Sequence, residues 1–186
     1  MDKEKIEELK SKRLKLQEEV RLKDLRKGVA TQISHLEKLG ESYFVFYDFE
    51  NLNWIESNVR VRKRDGYSGI HGDFQIDVND SNSLDSIIIK EKEINSKKFK
   101  EQFSSLISTR SKLIVCYQGG DPELEISTNA FLENPNEFFS RPETWLLTTD
   151  KKWIVEFIWD QSVIRVIQLQ ESKPTLVLKI ILELTN

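Results

Sequence analysis

The sequence predicts an α+β protein: a long N-terminal helix, a largely antiparallel β-sheet domain with two or three packed helices, and a three-strand meander at its C-terminal end. Three observations carry this. Residues 145–169, WLLTTDKKWIVEFIWDQSVIRVIQL, place an apolar residue at nearly every second position, interrupted by Asp150-Lys151-Lys152 and by Asp160-Gln161. Period two with tight polar breaks is the pattern of antiparallel strands joined by short turns. Residues 3–39 instead follow a helical period. Between them lie several short strands and two helix patterns, without the regular strand–helix alternation of a parallel sheet.

The first helix is predicted over residues 3–39. Ile6, Leu9, Leu16 and Val20 keep heptad-like spacing, with Arg13 at a position that calls for an apolar residue. Leu22, Leu25, Val29 and Leu36 continue in a shifted frame. Gly28 weakens the middle by about 1 kcal/mol relative to alanine, and Gly40 is a natural stop. This helix could pair with a copy of itself, dock on a partner or lie across its own domain. Residues 1–40 are therefore assigned to dimerisation or docking, and residues 41–186 to one α+β domain.

Residues 43–48, YFVFYD, read as an aromatic strand, followed by a polar segment, ENLNWIESN. Alternation at 59–62 and again at 74–78 predicts a hairpin with a long glycine-containing basic tip. A polar loop at 79–85 and a strand at 87–94 follow. Asn95-Ser96 can cap a helix over 97–108, where Phe99, Phe103, Leu106 and Ile107 form a core-facing stripe. Residues 112–118 read as an apolar strand. Asp121-Pro122 predicts the start of a further helix, ending near Leu132. Phe138-Phe139, between two prolines, is expected to plug the core. In the meander, Trp153, Val155, Phe157 and Trp159 fall on one face, and Ile154 and Ile158 share the other with Glu156. The segment 174–185 satisfies both periods; Ser172 and Pro174 favour helix.

Composition narrows the class. The chain has 186 residues and a net charge of −3, which gives no global electrostatic case for nucleic acid or anionic membrane. Residues 1–40 carry 11 basic and 8 acidic residues; residues 41–186 carry 17 and 23, a net of −6. The single cysteine, Cys116, lies in an apolar run and reads as a buried, inert thiol. The start has no apolar stretch of a signal peptide, and no run is long enough to span a membrane. A soluble, cytoplasmic protein is expected.

Four constellations bear on chemistry. The run VFYDFENLN resembles the first acidic motif of NYN-type, PIN-like metal-dependent ribonucleases. That resemblance implies Asp48 as a metal-binding carboxylate positioned by Asn51, with Glu50 beside it. Later strand-end acids, Asp121 and Asp150 by position, would complete a site for Mg²⁺ or Mn²⁺ that activates water at a phosphodiester. It covers nine residues, and the family has a helix after the motif and a parallel sheet, whereas here a basic hairpin is predicted to follow. Outside that reading no cofactor is expected.

Asp77, Asn79, Ser81 and Asp85 match part of an EF-hand spacing, but Asn82 and Ile88 stand where glycine and the bidentate glutamate belong. Arg60, Arg62, Lys63 and Arg64, with Tyr67 and His71, form the one concentrated basic patch. It could hold phosphates and stack a base, or keep an edge strand soluble. Last, Trp145, Trp153 and Trp159 with Asp150, Glu156 and Asp160 resemble the sheet texture of small bacterial immunity proteins, which implies capping of a basic partner protein. Lacking a complete catalytic set, the sequence leads to a non-catalytic protein-binding or inhibitory module. Metal-dependent nuclease and nucleic-acid binding are the alternatives.

Overall fold

The computed structural model describes residues 3–59, 61–63, 74–77, 83–117, 120–140, 144–158 and 163–169. Its centre is a seven-stranded sheet in the order β1-β6-β5-β7-β8-β9-β4, every neighbouring pair antiparallel. The strands are β1 (Phe44–Phe46), β4 (Ser83–Lys90), β5 (Lys112–Tyr117), β6 (Glu123–Ser127), β7 (Thr144–Thr148), β8 (Trp153–Ile158) and β9 (Val163–Leu169). A separate ribbon pairs β2 (Val61–Lys63) with β3 (Phe74–Ile76). The fold is α+β, and the meander β7-β8-β9 lies within the main sheet, as the alternation at 145–169 predicts.

The sheet is covered on both faces. One face packs under α2 (Ala30–Leu39), α4 (Lys97–Leu106), α5 (Thr128–Glu133) and α6 (Pro135–Phe138). Phe99, Phe103, Phe131 and Phe138 are fully buried there and make tilted or edge-on ring contacts through Phe131. Such pairs add to the gain from burial itself. The other face carries α3 (Glu50–Asn58) and Ile76 of the ribbon over Ile114, Cys116, Trp145, Leu147, Ile154 and Ile167. Strand alternation sorts the two sets: Val155 and Phe157 face the helices, Ile154 and Glu156 the opposite side.

The N-terminal segment is two helices rather than one. α1 (Lys3–Lys27) ends where Gly28 N–H and Val29 N–H turn back to the carbonyls of Leu25 and Arg26. Val29, at the N-cap of α2, and Ile33 and Leu36 within it enter the core, and the helix stops at Gly40, which is left-handed at φ 69°. Packing requires a residue without a side chain at the break. A Cβ on Gly28 would lie 1.8 Å from Asp121 Oδ1 and 3.2 Å from the Leu25 carbonyl oxygen. In an isolated helix Gly28→Ala would gain about 1 kcal/mol. Here it is expected to lose about 1 kcal/mol instead, because the Asp121 carboxylate must move. Urea unfolding checks this, and the loss should turn into a gain in an Asp121→Ala background.

Two further elements differ in kind from the sequence reading, and a third in its bounds: β4 begins inside the predicted loop 79–85 and ends at Lys90, before a 3-10 turn at Glu91–Glu93. ENLNWIESN is the helix α3, because Leu52, Ile55 and Val59 at helical spacing bury against the sheet. The residues after Asp121-Pro122 form strand β6 and not a helix. Leu124 and Ile126 alternate with half-exposed Glu125 and Ser127, and β6 is hydrogen-bonded between β1 and β5. Pairing on both edges outweighs local helix propensity. The cap is Ser127, whose hydroxyl accepts from Ala130 N–H at 3.0 Å to open α5. The helix capped by Ser96 is observed, with Ser96 Oγ accepting from Phe99 N–H at 3.0 Å. No helix among the described residues is long and apolar enough to cross a membrane. The segment 174–185 and Trp159 lie outside the described residues.

Candidate functional site

The acidic run after β1 is built around a helix start. Asp48 Oδ1 accepts from Glu50 N–H at 3.4 Å, and Phe49 is held left-handed at φ 58° with its ring against the second core. The first turn of α3 has unpaired N–H groups and a positive dipole end. Glu123, on β6 and 1% exposed, supplies the matching charge. It accepts from Leu52 N–H at 2.6 Å, Asn51 N–H at 3.3 Å and Asn51 Nδ2 at 2.8 Å. The anion position at this helix start is thus filled by the chain's own carboxylate, and Asn51 serves it rather than Asp48. Nothing in the local sequence pairs Glu123 with Asn51; the register of β1 on β6, Phe46 opposite Glu123, brings them together.

The acids proposed for a metal do not converge. Asp48 and Asp121 follow β1 and precede β6 at one end of the central strands. Asp150 lies in the turn after β7, at the other end, since Tyr117 pairs with Thr144 and Leu113 with Thr148. The length of β5 puts Asp150 on the order of 15–20 Å from the other end. Asp121 is also turned to the α1–α2 junction at Gly28, whereas Asn51 sits on the opposite sheet face. Asp150 Oδ1 accepts from Thr148 Oγ1 at 2.6 Å and Lys152 N–H at 3.1 Å, the work of a turn residue. Among the described residues no group of three or more His, Cys, Asp or Glu side chains is arranged to hold a metal ion.

Glu156 is 1% exposed, so it is no part of an acidic surface. Its Oε1 accepts from Ile76 N–H at 2.7 Å and Trp145 Nε1 at 3.3 Å. Its Oε2 accepts from Arg165 Nε at 2.9 Å and from Arg165 Nη2, and Nη2 also donates to the Ile76 carbonyl at 2.8 Å. One buried ion pair therefore satisfies both backbone groups of Ile76 and rivets the β2–β3 ribbon to the sheet. Burial pushes the Glu156 carboxyl above the usual carboxylate range, with Arg165, Ile76 N–H and Trp145 opposing that rise.

The chain matches no known family model and none of the curated proteins.

In the basic patch, Arg62 and Lys63 lie on β2, paired with Gln75 and Phe74. Arg60, Arg64, Tyr67 and His71 lie outside the described residues, as does Asp160. Of the EF-hand positions, Asp85 and Ile88 belong to strand β4, which is not the backbone of a calcium loop; Asn79, Ser81 and Asn82 lie outside the described residues. Cys116 is fully buried beneath α3, and burial, then the neighbouring Glu123 charge, pushes its thiol well above the ordinary range. An unreactive thiol is the result.

Among the described residues, the least compensated surface is α1. Leu9, Leu16 and Val20 are 53%, 61% and 59% exposed, and residues 7–21 are exposed throughout. The ion pairs Lys12–Glu8 at 2.6 Å and Arg21–Glu18 at 2.6 Å run along the helix itself. Contact with the domain begins further on: Leu22 and Leu25 are half-buried and Val29 fully so.

Proposed function

We propose that the protein is a non-catalytic, soluble protein-association module of the cytoplasm, needing no cofactor, whose working surface is the projecting helix α1. The observation that carries this is the exposed line Leu9, Leu16 and Val20 on a helix whose residues 7–21 are all exposed. A helix gains most of its stability in proteins from burying an apolar face, so this one is incomplete alone. An inhibitory or immunity-like role against a basic protein is the finer form of the reading, supported by the net −6 of residues 41–186.

The test is co-purification from the native host of the wild-type chain and of a Leu9→Glu, Leu16→Glu, Val20→Glu variant. A protein retained stoichiometrically by the wild type should be lost from the variant, with affinity falling roughly a hundredfold or more, as when apolar anchors leave an interface centre. All three side chains are exposed, so the thermal unfolding of the domain should stay unchanged. Equal retention by both chains sinks the assignment to α1.

A further inference from the structure

We infer that the face of α1 turned away from the domain pairs antiparallel with the same face of a second copy of this chain. This rests on the reading of α1 as an association surface and commits it to one occupant.

Two apolar stripes run along α1. At about 100° per residue, Leu22 and Leu25 point to the domain, and Val29 continues that line into the core. Ile6, Leu9, Leu16 and Val20 cluster on the far side, about 170° away. A helix laid on the far stripe meets no part of its own domain. An antiparallel arrangement also sets the two domains at opposite ends of a 25-residue helix, roughly 37 Å apart.

Charge then selects the orientation. With Ile6, Arg13 and Val20 at one core position of the heptad and Leu9 and Leu16 at the other, Lys5, Lys12 and Glu19 line one flank, and Lys10, Gln17 and Asp24 the other. A parallel, in-register pair sets Arg13 against Arg13 in the core, Lys5 against Lys10, and Glu19 against Asp24. All three encounters bring like charges together. The antiparallel pair that stacks Leu9 on Val20 of the second copy also stacks Arg13 on Leu16, where its aliphatic stem packs and its guanidinium reaches water. The same alignment sets Lys12 opposite Glu19, a contact that symmetry repeats; nearer the ends it sets Ile6 on Lys23 and Lys5 opposite Arg26, still fewer like-charge encounters than the parallel pair brings.

Sedimentation equilibrium of the full chain tests this, with two substitutions of opposite meaning for the rival orientations. The wild type should show a reversible monomer–dimer equilibrium. Glu19→Lys should weaken the antiparallel dimer roughly tenfold, because two attractive flank contacts become repulsive. In a parallel pair the same change removes the clash with Asp24 and tightens binding. The double variant Lys12→Glu, Glu19→Lys should return to within about threefold of the wild type, since it only exchanges the partners. Tightening by Glu19→Lys overturns the proposal, and so does a wild type that stays monomeric at its highest soluble concentration. If that monomer still loses a host protein through the Leu9, Leu16 and Val20 substitutions, self-pairing fails and the association reading stands. If no association of any kind depends on α1, both fall.

Discussion

Replacing Glu156 with alanine is expected to remove about 3–5 kcal/mol of folding stability, a large share of what a domain of this size has. Three losses coincide. The Arg165 guanidinium, 8% exposed, is left without its counter-charge, and the Ile76 N–H and the Trp145 indole N–H lose their acceptor. Each buried donor without a partner costs about 1–3 kcal/mol, but the three share one site, so the terms do not add fully. Changing both charges together, Glu156→Leu with Arg165→Met, should recover only the part due to the unpaired guanidinium, because the Ile76 N–H and carbonyl and the Trp145 indole N–H still lack partners. Urea unfolding of the two variants decides this; a double variant as unstable as Glu156→Ala would mean that the hydrogen bonds to Ile76 and Trp145, and not the pairing of charges, are the essential part. The pH dependence has a fixed sign. The folded Glu156 carboxyl titrates above its unfolded value, because burial outweighs its partners. As pH rises from the ordinary carboxylate value, about 4.3, toward the raised one, the native state holds more protons than the unfolded state. Stability therefore falls across that window. Glu156→Gln should abolish that fall.

The same residue shows why part of this fold was legible and part was not. Alternation assigned Glu156 to one face of β8 together with Ile154, and that face is where it lies. Alternation does not say whether a face is covered. The cover here is α3 and Ile76, distant in sequence; the spacing of Leu52, Ile55 and Val59 and the alternation at 74–78 mark elements but not the sheet face on which they dock. Where apolar spacing alone decides an element, as for Phe99 and Phe103 on α4 or the meander, sequence and structure agree. Where pairing decides, they part: β6 is a strand because β1 and β5 flank it, although Asp121-Pro122 is a good helix start. Gly28 lay between the two cases. Its cost to a helix was readable, but the Asp121 carboxylate that occupies the place of a side chain there was not. The acids suffered in the same way. A run such as VFYDFENLN specifies residue types, whereas a metal site requires convergence, and the order of strands places Asp150 at the wrong end of the sheet.

Glu123 is the other residue whose loss should be felt widely, through the docking of α3. Glu123→Ala removes the acceptor of three donors in the first turn of α3 and the negative charge that its dipole favours. The expected cost is about 3 kcal/mol, less than the sum for three stranded donors because the end of α3 can admit water. Glu123→Gln keeps one carbonyl acceptor but turns an NH₂ toward N–H groups, so it should recover only part of that. The apolar contacts of Leu52, Ile55 and Val59 remain, and the lost energy should therefore appear as local opening of α3 before global unfolding. The chain's single cysteine reports on this directly. Cys116 is fully buried under α3 and inert while α3 is seated. If α3 opens, a thiol reagent under native conditions should label Cys116 roughly a hundredfold faster in Glu123→Ala, as about 3 kcal/mol converts. A labelling rate equal to that of the wild type, with lowered global stability, would mean that α3 and the sheet come apart only together. The carboxylate would then stabilise the whole domain rather than the seat of one helix.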